Sequence, residues 1–317
     1  MNVTKNNVAI IVVTYKRQTL LQELLKSIGE SYVLPAHLVI VDNENSEETK
    51  ATVSKFATGA GSKIDVHYEG MSHNTGGAGG FNAGARIAYD KGAKWFWFMD
   101  DDVAVLPDGL QKLEKWMPLY ESIQGQKYDY DDSVFYWQYR FIPSLGIPNP
   151  VANSEWNGKR YKPMNTACFE GGLFSRRIVK TIGLPDPRFF IYWDDTIYGY
   201  LASKHTRAVM IDDFIMRRTR DIKQVNMGVR HLRGTSNMVR FHIMRNRAYM
   251  AKYFALYNDY NPTLYALGTL LTLAKEIIRI STVDRDFKEG IKALYDGLAT
   301  GRKIHKDDSW GPMPPLD

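Results

Sequence analysis

The chain reads Trp95-Phe96-Trp97-Phe98-Met99 and continues directly into Asp100-Asp101-Asp102. An uninterrupted apolar and aromatic run of this kind predicts a buried β-strand. Three adjacent carboxylates at its tip repel one another and are costly to remove from water. A divalent cation such as Mg²⁺ or Mn²⁺ would offset both costs, because these ions prefer carboxylate oxygen and leave coordination positions for phosphates. The motif therefore predicts a metal and phosphate site, with a solvated acidic turn as the alternative interpretation.

The sequence before this strand predicts alternating strands and helices. Residues 8–14 form a continuous, uncharged strand pattern, and residues 37–43 form a second predicted strand. Residues 18–30 between them carry leucines at helical spacing. A helix, a strand and a helix are then predicted at residues 46–56, 64–68 and 82–92. This order predicts a doubly wound α/β fold, with the ligand at the carboxyl ends of its strands.

The second half of the chain gives weaker patterns. Residues 121–165 show no regular period, and the chain beyond Arg240 is mostly helical. Short helices are predicted at residues 174–182 and 194–204. Residues 301–317 are predicted to be a loosely held tail.

The composition and the charge of the chain indicate its cellular compartment and the kinds of partner it can bind. The chain has 317 residues, a net charge of +6 and a single cysteine, Cys168, which fits a reducing compartment. We expect no signal peptide, because residues 1–7 are polar, and no membrane-spanning helix. Basic residues crowd the segment after Asp213, as expected for contact with nucleic acid, an anionic membrane or a diphosphate. We expect no nucleic-acid partner, because no known nucleic-acid-binding motif accompanies them.

Polar residues lie at the carboxyl ends of two other predicted strands. Thr14 ends the first strand and Arg17 lies three residues beyond it, and Asp42 and Asn43 end the second. The Asp42 carboxylate is a candidate acceptor for a nucleotide base N–H, although a turn or a helix cap explains it equally well.

A glycine-rich segment precedes the helix at residues 82–92. It reads Asn74-Thr75-Gly76-Gly77-Ala78-Gly79-Gly80, and glycines at this density let the backbone approach a ligand closely. The segment opens a helix, whose amino end favours anions. It matches neither a Walker loop nor the Rossmann fingerprint, and a flexible linker is the alternative.

A second acidic pair follows another aromatic run, in Phe189-Phe190-Ile191-Tyr192-Trp193-Asp194-Asp195. Adjacent acids can orient a substrate hydroxyl and remove its proton, whereas helix capping is the structural alternative. His231 and His242 lie in the basic segment, and either is a candidate third metal ligand.

Together these motifs resemble family-2 glycosyltransferases of the GT-A fold, over about residues 8–250. Within that family, the glycine-rich segment combined with Trp193-Asp194-Asp195 is most similar to bacterial galactofuranosyltransferases. The resemblance implies an α/β GT-A domain over residues 1–240, with a mostly parallel sheet, and a helical C-terminal extension over residues 241–317.

The resemblance also implies roles for individual residues. Asp195, or Asp194, would act as the catalytic base, and Asp100, Asp102 and His231 would bind Mn²⁺ or Mg²⁺. His231 is preferred over His242 because it lies upstream of a Tyr-Tyr-x-x-Arg-Asn pattern, which here ends in Arg245-Asn246. The nucleotide sugar would be held by Thr14, Arg17, Asp42, Asn43, Asn74, Gly77, Asp101 and Trp193.

The implied reaction is an inverting transfer of galactofuranose from UDP-galactofuranose to a hydroxyl of a polysaccharide or lipid-linked glycan. A rhamnosyltransferase using dTDP-rhamnose, another hexosyltransferase and a metal-dependent nucleotidyltransferase are the alternatives. We expect a cytoplasmic protein. Its basic, amphipathic C-terminal region is interpreted as a contact with the inner membrane face, an ordinary subdomain or a homo-oligomer interface.

Overall fold

The computed structural model describes residues 1–135, 139–151, 156–220, 224–226 and 231–317, with the backbone alone for residues 2, 224–226 and 231–233. The strands are β1 (Asn2–Val3), β2 (Val8–Thr14), β3 (Val33–Leu34), β4 (His37–Asp42), β5 (Asp65–Gly70), β6 (Trp95–Asp100), β7 (Val103–Val105), β8 (Ser122–Tyr128), β9 (Tyr139–Ile142), β10 (Ile147–Pro150), β11 (Tyr161–Pro163), β12 (Gly172–Ser175), β13 (Ala208–Arg218), β14 (Gln224–Asn226) and β15 (His231–Arg233). The helices are α1 (Gln18–Gly29), α2 (Glu47–Thr58), α3 (Gly76–Asp90), α4 (Gly109–Trp116), α5 (Arg176–Ile182), α6 (Asp194–His205), α7 (Asn237–Leu256), α8 (Pro262–Arg279) and α9 (Phe287–His305).

The N-terminal half of the main sheet is parallel, in the order β5-β4-β2-β6. Alternate residues of β2 face two hydrophobic cores, one shared with α3 and the other with α1, which is why its apolar run is continuous. The register pairs Thr14 with Asp42 and Val13 with Asp100. The polar strand ends therefore lie at one edge of the sheet, as the sequence predicted.

Beyond β6 the sheet continues as β12-β8-β13-β11, and β7 also pairs with β13. β12 is antiparallel to β6 and β8, so the complete sheet is mixed and the parallel arrangement belongs to its N-terminal half. The helix predicted at residues 174–182 begins later, at Arg176, because Gly172–Ser175 form β12.

The prediction that residues 121–165 are irregular is wrong, because β8 to β11 lie in this range. The side chains of Gln124, Gln126 and Lys127 in β8 are buried. Each donates a hydrogen bond to a main-chain carbonyl of a neighbouring segment. Polar groups satisfied in this way can be buried without an apolar pattern, so periodicity does not reveal the strand.

α3 begins at Gly76, within the glycine-rich segment, and not at residue 82 as predicted. The glycines allow it to lie close against β2. A side-chain β-carbon would lie 2.6 Å from Val13 if added at Gly80 and 2.6 Å from Ile11 if added at Gly84. Part of the glycine content therefore serves packing of the helix onto the sheet.

The first of the C-terminal helices, α7, packs into one of the two hydrophobic cores that cover the sheet. α7 crosses the boundary predicted at residue 240 and contributes Met250, Tyr253 and Phe254 to the core that contains α3. The outward face of α8 carries exposed apolar side chains, each between 40% and 62% exposed: Leu264, Leu267, Leu270, Leu271, Ile277 and Ile278. Within the described ranges, none of the helices has the length and apolar character needed to cross a bilayer.

The prediction of a loosely held tail at residues 301–317 is also wrong. α9 continues to His305, and Leu316 is buried. The Leu316 N–H donates to the Lys180 carbonyl at 2.9 Å, and the Tyr89 hydroxyl donates to the Asp317 carbonyl at 2.6 Å. These contacts fix the C-terminal segment against α3 and α5.

Candidate functional site

The triple aspartate lies at the carboxyl edge of the parallel strands, beside two of the predicted nucleotide-binding residues. The Thr14 hydroxyl donates to Asp101 at 2.7 Å, and an Arg17 Nη donates to Asp101 at 2.9 Å and to Asp102 at 3.2 Å. Burial alone lowers the pKa of Arg17, but the charges of Asp101 and Asp102 raise it overall. Arg17 therefore neutralises part of the acidic cluster.

Glu170, which is distant in sequence, joins Asp100 and Asp102 in the acidic cluster. Ligand oxygens of Asp100, Asp102 and Glu170 all lie within 4.8 Å of one another. The pKa of Asp100 is raised well above its usual range, first by burial and then by the charges of Asp102 and Glu170. Oδ1 of Asp102 is buried without a hydrogen-bond partner in the described part of the chain. These carboxylates are hard oxygen ligands that would be stabilised by a cation, so they fit Mg²⁺ or Mn²⁺.

Sequence reasoning missed Glu170, because no pattern marks it. β12 pairs with β6 so that Leu173 lies opposite Trp97, and extending this register by three residues brings Glu170 level with Asp100. Glu170 is held there by an ion pair with Lys127 and by an Arg218 Nη at 3.2 Å. The strand that positions Glu170, β12, was itself not predicted, because the sequence favoured a helix over residues 174–182.

The second acidic pair, Asp194 and Asp195, lies in the first turn of α6, where unpaired backbone N–H groups favour negative charge. Burial, followed by the charge of Asp195, raises the pKa of Asp194 to about 8. Burial also raises the pKa of Asp195. One Asp195 oxygen accepts from the Thr196 N–H at 2.6 Å and the Thr196 hydroxyl at 3.2 Å. This is a carboxylate pair with raised proton affinity, held at a helix start.

We call residues 189–193, which lead into this pair, the elbow. Phe190, Tyr192 and Trp193 have φ values of 63°, 74° and 73°, in the left-handed region that residues other than glycine rarely adopt. The Ala78 N–H of α3 donates to the Phe190 carbonyl at 3.0 Å, which ties the elbow to the glycine-rich segment. Backbone strain of this kind is typical of functional sites.

Both acidic groups line one cavity of about 760 Å³, a volume typical of sites for small ligands. Predicted site residues among its lining are Arg17, Gly77, Asp100, Asp102, Trp193, Asp194 and Asp195. Its wall also includes Ile147 and Pro148 of β10, and Leu271 of α8. The acidic cluster, the acidic pair and part of the exposed face of α8 therefore all border the same cavity.

Asp42, Asn43 and Asn74 are not among the lining residues. Asp42 is fully buried and accepts from two backbone N–H groups and the Tyr68 hydroxyl, at 2.9 to 3.0 Å. Asn43 donates to the Gly76 carbonyl at 3.0 Å and accepts from Thr75 at 2.9 Å. Asn74 accepts from the Gly76 N–H at 2.9 Å. These side chains shape the loops around the cavity.

The two candidate histidines differ in what the structure describes. The side chain of His231 lies outside the described residues, so its role as a metal ligand stays a prediction. His242 is buried on α7, and its ring stacks on Phe190 at a centroid distance of 5.0 Å. Burial and then the charge of Arg245 lower the pKa of His242 to about 4. His242 thus packs against the elbow and is not part of the acidic cluster.

The sequence of the chain is similar to the sequences of known proteins. The sequence model of a family described as Glycosyl transferase family 2 matches residues 9–183, more than half of the chain. Galactofuranosyltransferase GlfT1 of Mycobacterium tuberculosis is 31% identical over 197 residues, which cover 60% of this chain and 62% of that protein. The dTDP-rhamnosyl transferase RfbF of Shigella flexneri is 25% identical over 192 residues, covering 60% and 61%. The chain thus spans about three fifths of the length of these relatives.

Solved structures share the fold. The structure of S. aureus TarS 1-349 has a TM-score of 0.56 at 11% identity, covering 98% of this chain and all of that one. A mannosyltransferase from Pyrobaculum calidifontis, solved with GDP-Man and Mn²⁺, has a TM-score of 0.54 at 17% identity, covering 96% and 88%. At these identities the likeness concerns the fold.

Proposed function

The chain belongs to glycosyl transferase family 2 and has the predicted GT-A fold, and from this premise we propose that it transfers galactofuranose from UDP-galactofuranose to a glycan hydroxyl. The observation that carries the proposal is that Asp100, Asp102 and Glu170 line the same cavity as Asp194 and Asp195. One acidic group is suited to a donor diphosphate through a cation, and the other to proton removal from an acceptor. The similarity to GlfT1 supports the choice of sugar.

We propose that Asp100, Asp102 and Glu170 hold Mn²⁺ or Mg²⁺, with His231 as a further ligand. Such an ion, when bound, supplies positive charge beside the donor diphosphate. Lys127 and Arg218 keep Glu170 oriented toward the two aspartates. Both basic side chains are buried, and Lys127 also donates to the Glu170 carbonyl at 3.3 Å, so Glu170 is oriented without a bound ligand.

The nucleotide sugar would contact Arg17, Gly77 and Trp193, the predicted nucleotide-sugar residues that line the cavity. Asp101 would act by holding Arg17, with which it is paired, and Thr14 would act by donating a hydrogen bond to Asp101. We propose that Asp42, Asn43 and Asn74 contact the nucleotide and also hold the loops beside the cavity in place. Their side chains already make hydrogen bonds within those loops.

The transfer would be a single inverting displacement at the anomeric carbon. Asp195 takes the proton of the acceptor hydroxyl while the sugar is transferred, and UDP leaves. A base whose pKa is raised toward neutrality accepts a proton more readily than an ordinary carboxylate, which suits the burial of this pair. Asp194 is the alternative base in the same turn of α6.

A donor screen tests the function. With purified protein, Mn²⁺ and a glycan acceptor, we expect UDP to be released from UDP-galactofuranose in preference to UDP-galactopyranose. Release of dTDP from dTDP-rhamnose would instead assign the rhamnosyltransferase activity suggested by the similarity to RfbF. Release of pyrophosphate from a nucleoside triphosphate would indicate a nucleotidyltransferase. The matched control is the Asp195→Asn variant under the same conditions.

We further propose that the acceptor is lipid-linked and that the exposed face of α8 contacts the membrane surface. Leu271 belongs to this face and also lines the cavity. On α9, Phe287, Ile291 and Tyr295 are exposed and lie four residues apart. They alternate with the exposed basic residues Lys288 and Lys292. Apolar side chains flanked by basic ones are typical of helices that lie on an anionic bilayer.

Vesicle flotation tests the membrane contact. The wild-type protein should float with phosphatidylglycerol-containing vesicles, and the triple variant Leu267→Gln, Leu270→Gln, Ile278→Gln should lose at least about tenfold in binding, since each half-exposed side chain contributes roughly 1 kcal/mol. Transfer to a short water-soluble acceptor should be unchanged. Leu119→Gln, another exposed leucine outside α8 and α9, is the matched control. A variant that loses self-association but keeps vesicle binding would assign this face to a homo-oligomer interface.

A further inference from the structure

We propose that Asn246 is a positioning residue, which holds the elbow so that Asp194 and Asp195 face the acceptor. The proposal rests on the proposed function, because it assigns the acidic pair to proton removal. Arg245 acts with Asn246 at the base of the same elbow. Both residues belong to the Arg-Asn pattern found in the sequence, for which the transfer chemistry itself supplies no role.

The contacts of Asn246 are concentrated on the elbow. Its side chain is fully buried, and its Nδ2 lies 2.9 Å from each of three carbonyl oxygens, those of Phe189, Ile191 and Tyr192. Its Oδ1 accepts from Nε of Arg245 at 2.8 Å. A side-chain amide presents two N–H donors and one oxygen acceptor, so two of the three carbonyls share one N–H in a three-centre bond. The same side chain thus contacts both the elbow and Arg245.

Arg245 extends this support toward the start of the elbow. One of its Nη atoms donates to the Arg188 carbonyl at 2.6 Å and to the Phe189 carbonyl at 2.8 Å. At the other end, the Trp193 carbonyl accepts from the Ile197 N–H within α6 at 2.9 Å. With the Ala78 contact to Phe190, every carbonyl from 189 to 193 has a hydrogen-bond partner.

Backbone strain explains why the elbow needs such support. Three residues other than glycine have positive φ within residues 190–193, each at a cost of about 1–3 kcal/mol. Each buried hydrogen bond contributes only about 1 kcal/mol net, but a buried carbonyl left without a donor costs about 1–3 kcal/mol. Removing the Asn246 donor would therefore favour relaxation of the elbow into an ordinary conformation.

Relaxation of the elbow would displace the acidic pair. α6 starts at Asp194, which directly follows Trp193. A change in φ at Trp193 therefore rotates the first turn of the helix. The residues of the acidic cluster, Asp100, Asp102 and Glu170, lie at the end of β6 and just before β12, outside the elbow. Of the residues proposed to contact the nucleotide sugar, Trp193 lies in the elbow, whereas Arg17 and Gly77 do not. Loss of Asn246 should thus impair proton removal and the contact of Trp193 with the donor sugar, and leave the binding of UDP itself unaffected.

The experiment compares Asn246→Asp and Asn246→Ala with the wild-type enzyme, once wild-type transfer has been measured. The aspartate has the same shape, but its ionised carboxylate cannot donate to the three carbonyls. We expect kcat to fall about 100-fold or more in both variants, as misplaced catalytic groups do. UDP affinity in the presence of Mn²⁺, measured by calorimetry, should stay within threefold of wild type. Arg245→Ala, which removes only the bonds at the start of the elbow, should give a smaller loss.

Asn237→Ala is the matched control. Asn237 also lies on α7 and bonds through its side chain to Asp286 and Arg240, but it does not contact the elbow. If Asn237→Ala lowers kcat as much as the Asn246 variants, or if UDP affinity falls in parallel with kcat, Asn246 has only a structural role. A folded Asn246 variant with kcat within threefold of wild type would also overturn the proposal. Should both Asn246 variants fail to fold, an unchanged kcat in Arg245→Ala overturns it, and a reduced kcat with unchanged UDP affinity supports it. Failure of wild-type transfer would instead refute the proposed function.

Discussion

Asp195→Asn should reduce kcat by about 10²–10⁴-fold, the contribution typical of a positioned general base. The amide cannot accept the acceptor proton, but its oxygen can still accept from the Thr196 N–H and hydroxyl, as the carboxylate does at 2.6 and 3.2 Å. The start of α6 should therefore remain folded. Calorimetry should give an unchanged UDP affinity, because Asp195 is not part of the Asp100–Asp102–Glu170 cluster.

The pH profile provides an independent measure of the same pair. Burial raises the pKa of Asp195 and, together with the charge of Asp195, raises that of Asp194 to about 8. The base must be ionised to act, so kcat should rise with pH as the pair loses its protons, and Asp195→Asn should remove this dependence. The folded protein holds these protons more tightly than the unfolded chain, so the pair's contribution to stability falls as pH rises between the unfolded and folded pKa values. Asp195→Asn should thus melt no lower than wild type at high pH.

Asp194→Asn is the matched comparison, since it removes the neighbouring carboxylate from the same helical turn. Undiminished turnover by Asp195→Asn, combined with loss in Asp194→Asn, would transfer the role of base to Asp194. Full activity in both variants would remove the pair from the chemistry altogether.

Asp102→Ala should abolish the increase in UDP affinity that Mn²⁺ produces in the wild-type protein. The expected loss is about tenfold or more, because changes even in the outer shell of a metal site cost that much. Oδ1 of Asp102 is buried and has no hydrogen-bond partner among the residues that the structure describes, and its second carboxylate oxygen pairs with Arg17 at 3.2 Å. Arg17 keeps its bond to Asp101 in the variant, so the cluster retains part of its structure.

Two further variants make the metal test specific. Glu170→Gln should also lose Mn²⁺-dependent UDP binding if Glu170 belongs to the cation site. Asp90→Ala, which removes an exposed carboxylate at the end of α3, should leave it unchanged. Equal UDP affinity for Asp102→Ala and wild type with Mn²⁺ present would contradict the assignment of the triple aspartate to a metal.

The parallel half of the fold could be predicted because its signals are local. Residues 8–13 and 95–99 are continuously apolar, and Leu21, Leu24, Leu25 and Ile28 form one buried face of α1. β8 could not be predicted in this way. Its Gln124, Gln126 and Lys127 are buried through hydrogen bonds to segments far away in sequence, which no local period records.

Both acidic groups, Asp100–Asp102 and Asp194–Asp195, could be found from local sequence, because charges that directly follow an apolar run are costly to bury without a function. The other residues of the site become visible only in the folded chain. Glu170 reaches Asp100 through the antiparallel register of β12 and β6, and Asn246 reaches the elbow through the packing of α7. Both contacts join residues more than fifty positions apart. Their physical cause is strand register and helix packing, which depend on the whole chain and leave no periodic pattern around either residue.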